Sequence, residues 1–253
     1  MGFDDDIALT PEGEGAIADG WATPRGPHGG YVMAILARAM ERAAGRQARS
    51  LTCHFLRPPA VGPITVTTEI VRAGRAMTTV TARMEQGGKP IALTLGAFSG
   101  AYDAPELGAV PMPVVAPPEA EVEPLPGAPE FARRLVLQPR IGALPLAGSD
   151  QEQVGGWIDL PEVEALGGAE LCVCADGYYP AIWPRLTEPH AAPTIDLTVH
   201  VRAPLPVRGP LLARFTSRLA RDGFFEEDGE LWTRDGTLVA QSRQLALLLS
   251  PVR

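Results

Sequence analysis

The most chemically suggestive feature of this 253-residue chain is an aspartate set in an apolar helical run. Asp176 follows Leu171, Cys172, Val173, Cys174 and Ala175 and precedes Tyr178 and Tyr179. A carboxylate among such neighbours costs several kcal/mol unless hydrogen bonds or a partner compensate it. Burial raises its pKa toward the range useful to a general base, and a shifted acid in a cleft marks a site candidate. The plainer alternative is an aspartate that ends the helix before Gly177 and points to solvent. Gln244 is a second candidate. It shares a strand face with Ala240, Ser242 and Ala246, and a face of small residues leaves room for a ligand or a close helix. A neutral amide can donate to and accept from a water, which suits positioning rather than proton transfer; a backbone-satisfied amide is the alternative. Thr194 directly follows Pro193. Strict alternation places it with Asp196, Thr198 and His200 on the polar face of its strand, so pattern alone reads it as an exposed strand threonine. Last, His28-Gly29-Gly30 opens an apolar helix. Free amides at a helix N-terminus favour developing negative charge and glycine permits close approach, so Gly29-Gly30 is a candidate oxyanion hole or a simple tight turn.

Other constellations are thinner. His54 and His200 occupy equivalent mid-strand places, and Asp196 and His200, though on one face, lie roughly 13 Å apart. No Gly-x-Ser-x-Gly elbow, H-E-x-x-H or paired C-x-x-C is present, and the glycines form neither a Rossmann nor a P-loop fingerprint. Cys53, Cys172 and Cys174 sit in apolar surroundings and read as buried, reduced thiols. No metal or other cofactor is expected. The net charge of −8 argues against a nucleic-acid partner. No apolar run approaches the roughly 20 residues of a membrane helix, and the acidic start does not read as a secretory leader. A cytoplasmic protein with no membrane partner is the expectation.

These residues are positioned by a duplicated pattern. Leu51, Thr52 and His54 recur as Leu197, Thr198 and His200, 146 residues on, and Gly88-Lys89-Pro90-Ile91-Ala92 matches Gly236-Thr237-Leu238-Val239-Ala240 at a separation of 148. Val32, Ile35, Leu36, Ala39 and Met40 fall on one helical face, with Gly45 as a stop. Strand-like runs follow at 50–57, 63–72, 76–84 and 90–98, punctuated by Gly74 and Gly87-Gly88. A short strand is expected within 16–23. Residues 103–130 hold eight prolines and little periodicity, the mark of a linker or surface crossover. The second unit starts with candidate strands at 131–140 and 151–160, then the helix that Pro180 cannot continue. Runs at 193–204, 210–218 and 237–250 follow, with turns at Asp222-Gly223 and Asp235-Gly236. Each half is thus expected to be one long helix followed by four strands.

Helix plus wrapped antiparallel sheet, twice in one chain, resembles the double-hotdog fold, and in detail the acyl-CoA thioesterase II family. His28-Gly29-Gly30, Phe55-Leu56-Arg57-Pro58 and Gly88-Lys89-Pro90-Ile91 are similar to that family's first-half segments; Ala175-Asp176, Pro193-Thr194-Ile195-Asp196 and the run from Val239 to Gln244 are similar to its three catalytic segments. Leu245 and Ala246 depart from it, standing where an acid and a glycine are usual. The resemblance implies an α+β double hotdog with units at 1–102 and 131–253 joined by the linker 103–130. It implies hydrolysis of acyl-CoA by a water held by Asp176, Thr194 and Gln244, with His28, Gly29 and Gly30 contacting substrate. One site per chain is expected, because Ala48 and Gly96 stand where Thr194 and Gln244 would be in the first half. It leaves room for a homo-oligomer. Two other classes stay open: a hotdog hydratase or dehydratase, which would need an acid and a histidine close together, and a non-catalytic acyl-thioester binding protein.

Overall fold

The computed structural model describes residues 2–120, 122, 127 and 129–249. The first half contains α1 (Phe3–Asp6), β1 (Glu14–Ile17), β2 (Ala22–Thr23), β3 (Gly26–Pro27), α2 (Gly29–Ala44), β4 (Ala48–Phe55), β5 (Gly62–Ala73), β6 (Thr78–Gln86) and β7 (Lys89–Phe98). The second contains β8 (Val136–Ile141), β9 (Gln153–Asp159), α3 (Gly168–Ala175), β10 (Thr194–Val201), β11 (Leu211–Thr216), β12 (Ala220–Arg221), β13 (Phe224–Trp232) and β14 (Leu238–Leu247). All strands except β2 and β3 join one antiparallel sheet in the order β1-β5-β6-β7-β4-β10-β14-β13-β11-β9-β8, with β12 on β13.

The two halves meet at β4–β10. Thr52 lies opposite Thr198, their hydroxyls 3.0 Å apart, flanked by Leu51 opposite Val199 and Cys53 opposite Leu197. Thr52 and Thr198 are the same position of the duplicated pattern, so a pseudo-twofold axis runs between them. Leu51, Cys53, Leu197 and Val199 are fully buried, as their period-2 alternation requires.

The helices lie antiparallel to one another on the inner face of the sheet. α2 is capped by its own sequence: His28 Nδ1 accepts the Tyr31 N–H, and Gly45 ends the helix at φ +61, a left-handed position that suits glycine. Its apolar stripe buries Tyr31, Val32, Ile35, Leu36 and Met40. Trp21 stacks on Tyr31 with ring centroids 4.7 Å apart, donates its indole N–H to Asp6, and is covered by the Arg134 guanidinium at 4.4 Å. Arg134 in turn pairs with Asp6 and Glu162, so this cluster ties the amino-terminal helix to the second half.

The second half departs from the expected plan in two ways. Its helix has 8 residues against 16 in α2; Gly177 and the helix-breaking Pro180 follow directly. The two strands expected before that helix are present as β8 and β9, but the run expected at 131–140 opens as a 3-10 turn at Glu130–Arg133. The last residue of the run expected at 237–250 lies outside the described residues, as do several of the proline-rich stretch. The described part of that stretch straps an outward apolar strip in which Trp157 and Trp232 both flank Leu212. The two indoles donate to the carbonyls of Ala116 (2.8 Å) and Val110 (3.1 Å).

Candidate active site

Asp176 is the residue at which α3 stops. Its carboxylate is seated against the start of α2: Oδ2 accepts the Gly30 N–H at 2.7 Å. The seat exists because both residues there are glycine. A Cβ on Gly29 would come within 2.9 Å of Asp176 Oδ2, and one on Gly30 within 2.6 Å of the Cys172 carbonyl and 2.9 Å of Asp176 Cβ. The side chain is 14% exposed. Burial raises its pKa, and His28 and the Gly30 N–H pull it back only in part. A carboxylate so placed is a stronger base than a solvated one.

His28 is itself only 4% exposed. With Nδ1 accepting from Tyr31, the ring proton belongs on Nε2, which meets the Asp176 backbone carbonyl at 2.7 Å and lies 3.4 Å from Oδ2. The ring also packs on Phe131, centroids 4.4 Å apart. Expected as a substrate contact, His28 is instead a buried clamp that caps α2 and holds the end of α3. The Gly30 amide, expected as an oxyanion donor, is engaged by Asp176.

Thr194 and Gln244 meet directly, Thr194 Oγ1 donating to Gln244 Oε1 at 2.9 Å. Strict alternation does not bring Thr194 to the inner face; a β-bulge does. The register shifts between Thr194 and Asp196, so that Thr194 lies opposite the buried Ala246 while Asp196 lies opposite the exposed Leu245. The extra residue, Ile195, reverses the facing of everything before it. The same bulge occurs in the first half between Ala48 and Ser50. Gln244 lies inward with Ala240, Ser242 and Ala246, as its small-residue face requires. Its Nε2 donates to Glu227 Oε1 at 2.7 Å, and Glu227 Oε2 accepts the Ala181 N–H at 2.6 Å.

Glu227 escaped the sequence reading. The available signal was an acid on the inward face of β13, in step with Phe225 and Leu231. It is buried, and burial, with like charge from Asp176 and Glu226, pushes its carboxyl up to about 7 against the N–H donors of Ala181 and Gln244. The charge of Asp176 is felt at Glu227, which Gln244 contacts. When Glu227 is ionised it can only accept, so the NH2 group of Gln244 faces Glu227 and the carbonyl faces Thr194. Thr194 spends its proton on Gln244 and keeps its lone pairs for a further donor. Among the described residues no cluster of three or more His, Cys, Asp or Glu could hold a metal, and all three cysteines are buried and unpaired.

A helix laid on an antiparallel sheet, repeated and fused edge to edge, is the double-hotdog architecture. The chain belongs to the acyl-CoA thioesterase family: residues 17–99 match its N-terminal domain and residues 111–248 its C-terminal domain. A solved structure of a hot dog protein of unknown function from Alicyclobacillus acidocaldarius superposes with TM-score 0.86 at 24% identity, over 99% of this chain and 98% of that one. A candidate thioesterase II from Thermobifida fusca YX gives TM-score 0.82 at 30% identity, over 98% and 97%. An uncharacterised protein of Mycobacterium tuberculosis is 27% identical over 266 residues, spanning 93% of this chain and 90% of its own length.

Proposed function

We propose that this protein hydrolyses acyl-CoA thioesters by direct attack of water, with Asp176 as general base and Thr194 and Gln244 holding the water. The observation that carries this reading is the Thr194–Gln244 hydrogen bond, made possible by a bulge, together with a buried carboxylate that is seated on a glycine pair and whose charge is felt at Glu227, the partner of Gln244. Asp176 takes a proton from the water as its oxygen bonds to the thioester carbonyl carbon. The tetrahedral intermediate then expels the thiolate as the C–S bond breaks, and the proton held by Asp176 passes to sulfur. No acyl-enzyme forms. The Gly29 amide at the start of α2 is the better-placed oxyanion donor, since Gly30 serves Asp176.

A hydratase or dehydratase needs a histidine free to act beside an acid. His28 does lie beside Asp176, but both ring nitrogens have backbone partners and the ring is buried, which counts against that reading. The test is release of free thiol from acyl-CoA of graded chain length by the wild-type chain. Steady release with formation of free acid supports hydrolysis. Tight binding without release would leave the chain a binding protein, and loss or gain of enoyl absorbance without thiol would mark a hydratase.

A further inference from the structure

We propose that Glu227 is a positioning residue of this site, one that sets the direction of every hydrogen bond running from Gln244 through Thr194 to the attacking water; the proposal rests on the hydrolytic reading above. Glu227 lies directly opposite Gln244 in the β13–β14 register and is 3% exposed. Both its oxygens are used, one by the Ala181 N–H at 2.6 Å and one by Gln244 at 2.7 Å. An ionised carboxylate has no proton to give. Gln244 must therefore offer it an N–H, which turns the Gln244 carbonyl toward Thr194 and obliges the Thr194 hydroxyl to donate at 2.9 Å. Thr194 is left able only to accept. A water arriving there gives one hydrogen to Thr194 Oγ1 and the other to Asp176, which leaves both lone pairs of its oxygen directed away from these groups, one of them for the thioester carbon. Reversing the chain would make Thr194 a donor to the water, tying up one of its two lone pairs and turning the oxygen toward Thr194 rather than toward the thioester carbon.

The charged groups whose fields reach Glu227 are Asp176 at the end of α3 and Glu226 on its own strand, both acidic. Of the cations on the neighbouring strands, Arg243 is engaged by Asp228 and Arg214 by Glu230, and Arg221 of β12 is exposed opposite Phe224. Among the described residues, the two N–H donors are what hold its charge. A buried acid kept at such cost on a catalytic face, where a neutral residue would pack, is explained by the acceptor-only chemistry that a neutral residue lacks.

The experiment compares E227Q and E227D at pH 8, where the wild-type carboxylate is ionised. Glutamine keeps the shape, but its oxygen is claimed by the Ala181 N–H. Its NH2 then faces Gln244 and reverses the chain. Aspartate keeps the acceptor-only character and loses one methylene. The expected result is a kcat about tenfold to a hundredfold lower in E227Q with KM little changed, a smaller loss in E227D, and the opposite order in melting temperature, with E227Q at or above wild type and E227D below it. A purely structural role would rank activity with stability, E227Q above E227D, and that outcome overturns the proposal, as does a wild-type kcat in E227Q. If the wild-type chain releases no thiol at all, the hydrolytic reading falls and the proposal falls with it; release by wild type alongside an unaffected E227Q sinks the proposal alone.

Discussion

The two halves share a backbone and differ in what they can do. Where the second half has Thr194, Gln244 and Glu227, the first has Ala48, Gly96 and Val80 at the same register positions on either side of the same bulge. The space that Gln244 occupies is filled at Gly96 by Met40, whose Cε would lie 2.8 Å from an added Cβ, and by Leu51 and Phe98. The helix pair is pseudo-symmetric too. Asp176 of α3 sits on the glycines that open α2, and Glu41 of α2 sits on Gly168, which opens α3. Glu41 is likewise raised in pKa by burial, and its backbone partner is the Ala48 N–H; the amide that lines the same cavity, Gln47, is spent on the Ala203 carbonyl and the Leu205 N–H. A buried acid beside a glycine pair is therefore a property of the duplicated fold. Three polar side chains on the inner face of the sheet, one each from β10, β14 and β13, set the second half apart from the first.

The comparison is tested most severely at its two acids. Asp176→Asn should lower thiol release by about a thousandfold with the melting temperature little changed, while Glu41→Gln leaves kcat within about twofold, since the amide beside it, Gln47, is already engaged by Ala203 and Leu205. Equal losses in the two variants would erase the distinction between the ends. Next come the glycines. Gly30→Ala drives a Cβ to 2.6 Å from a backbone carbonyl that cannot yield and should cost about 3 kcal/mol in urea denaturation. In Gly168→Ala the near contact is the tip of the Glu41 side chain at 2.3 Å, which can turn aside, so a cost below about 1 kcal/mol is expected.

Glu227 against Val80 gives a pH test. A carboxyl raised from 4.5 to about 7 binds its proton more tightly folded than unfolded. Its ionisation therefore costs stability, absent below the unfolded value and fully felt above the folded one. Wild-type unfolding free energy should fall by on the order of 2 kcal/mol between pH 4.5 and 7 and then level. E227Q should lose most of that slope, and a slope that survives intact would assign it to other carboxylates. Thr194→Val and Gln244→Leu should be non-additive in kcat by about 1 kcal/mol in a double-mutant cycle. Additive effects would mean that the two do not act on one water. The smallest effect belongs to the seam: Thr52→Val should cost about 0.5–1 kcal/mol through the lost bond to Thr198 and leave kcat untouched.

Much of this was legible in the chain. The repeat, the α2 stripe with its Gly45 stop, the inward set of Leu51, Cys53, Leu197 and Val199, and the small-residue face around Gln244 all follow from periods of 3.6 and 2, which depend on near neighbours alone. Asp176 was conspicuous because an acid among apolar residues needs a reason. Tertiary structure alone decided the rest. Ile195 takes no partner and so brings Thr194 to Gln244; alternation on one strand cannot register an insertion that exists only relative to the strand beside it. Gly30 and Asp176 are 146 residues apart, and their contact depends on a helix stopping after 8 residues against a partner twice as long. Glu227 reaches Gln244 only across a hydrogen-bonded register. Local pattern determines which face a side chain takes, but the polar contacts that make chemistry form between segments, and their geometry is fixed only when the sheet closes around both helices.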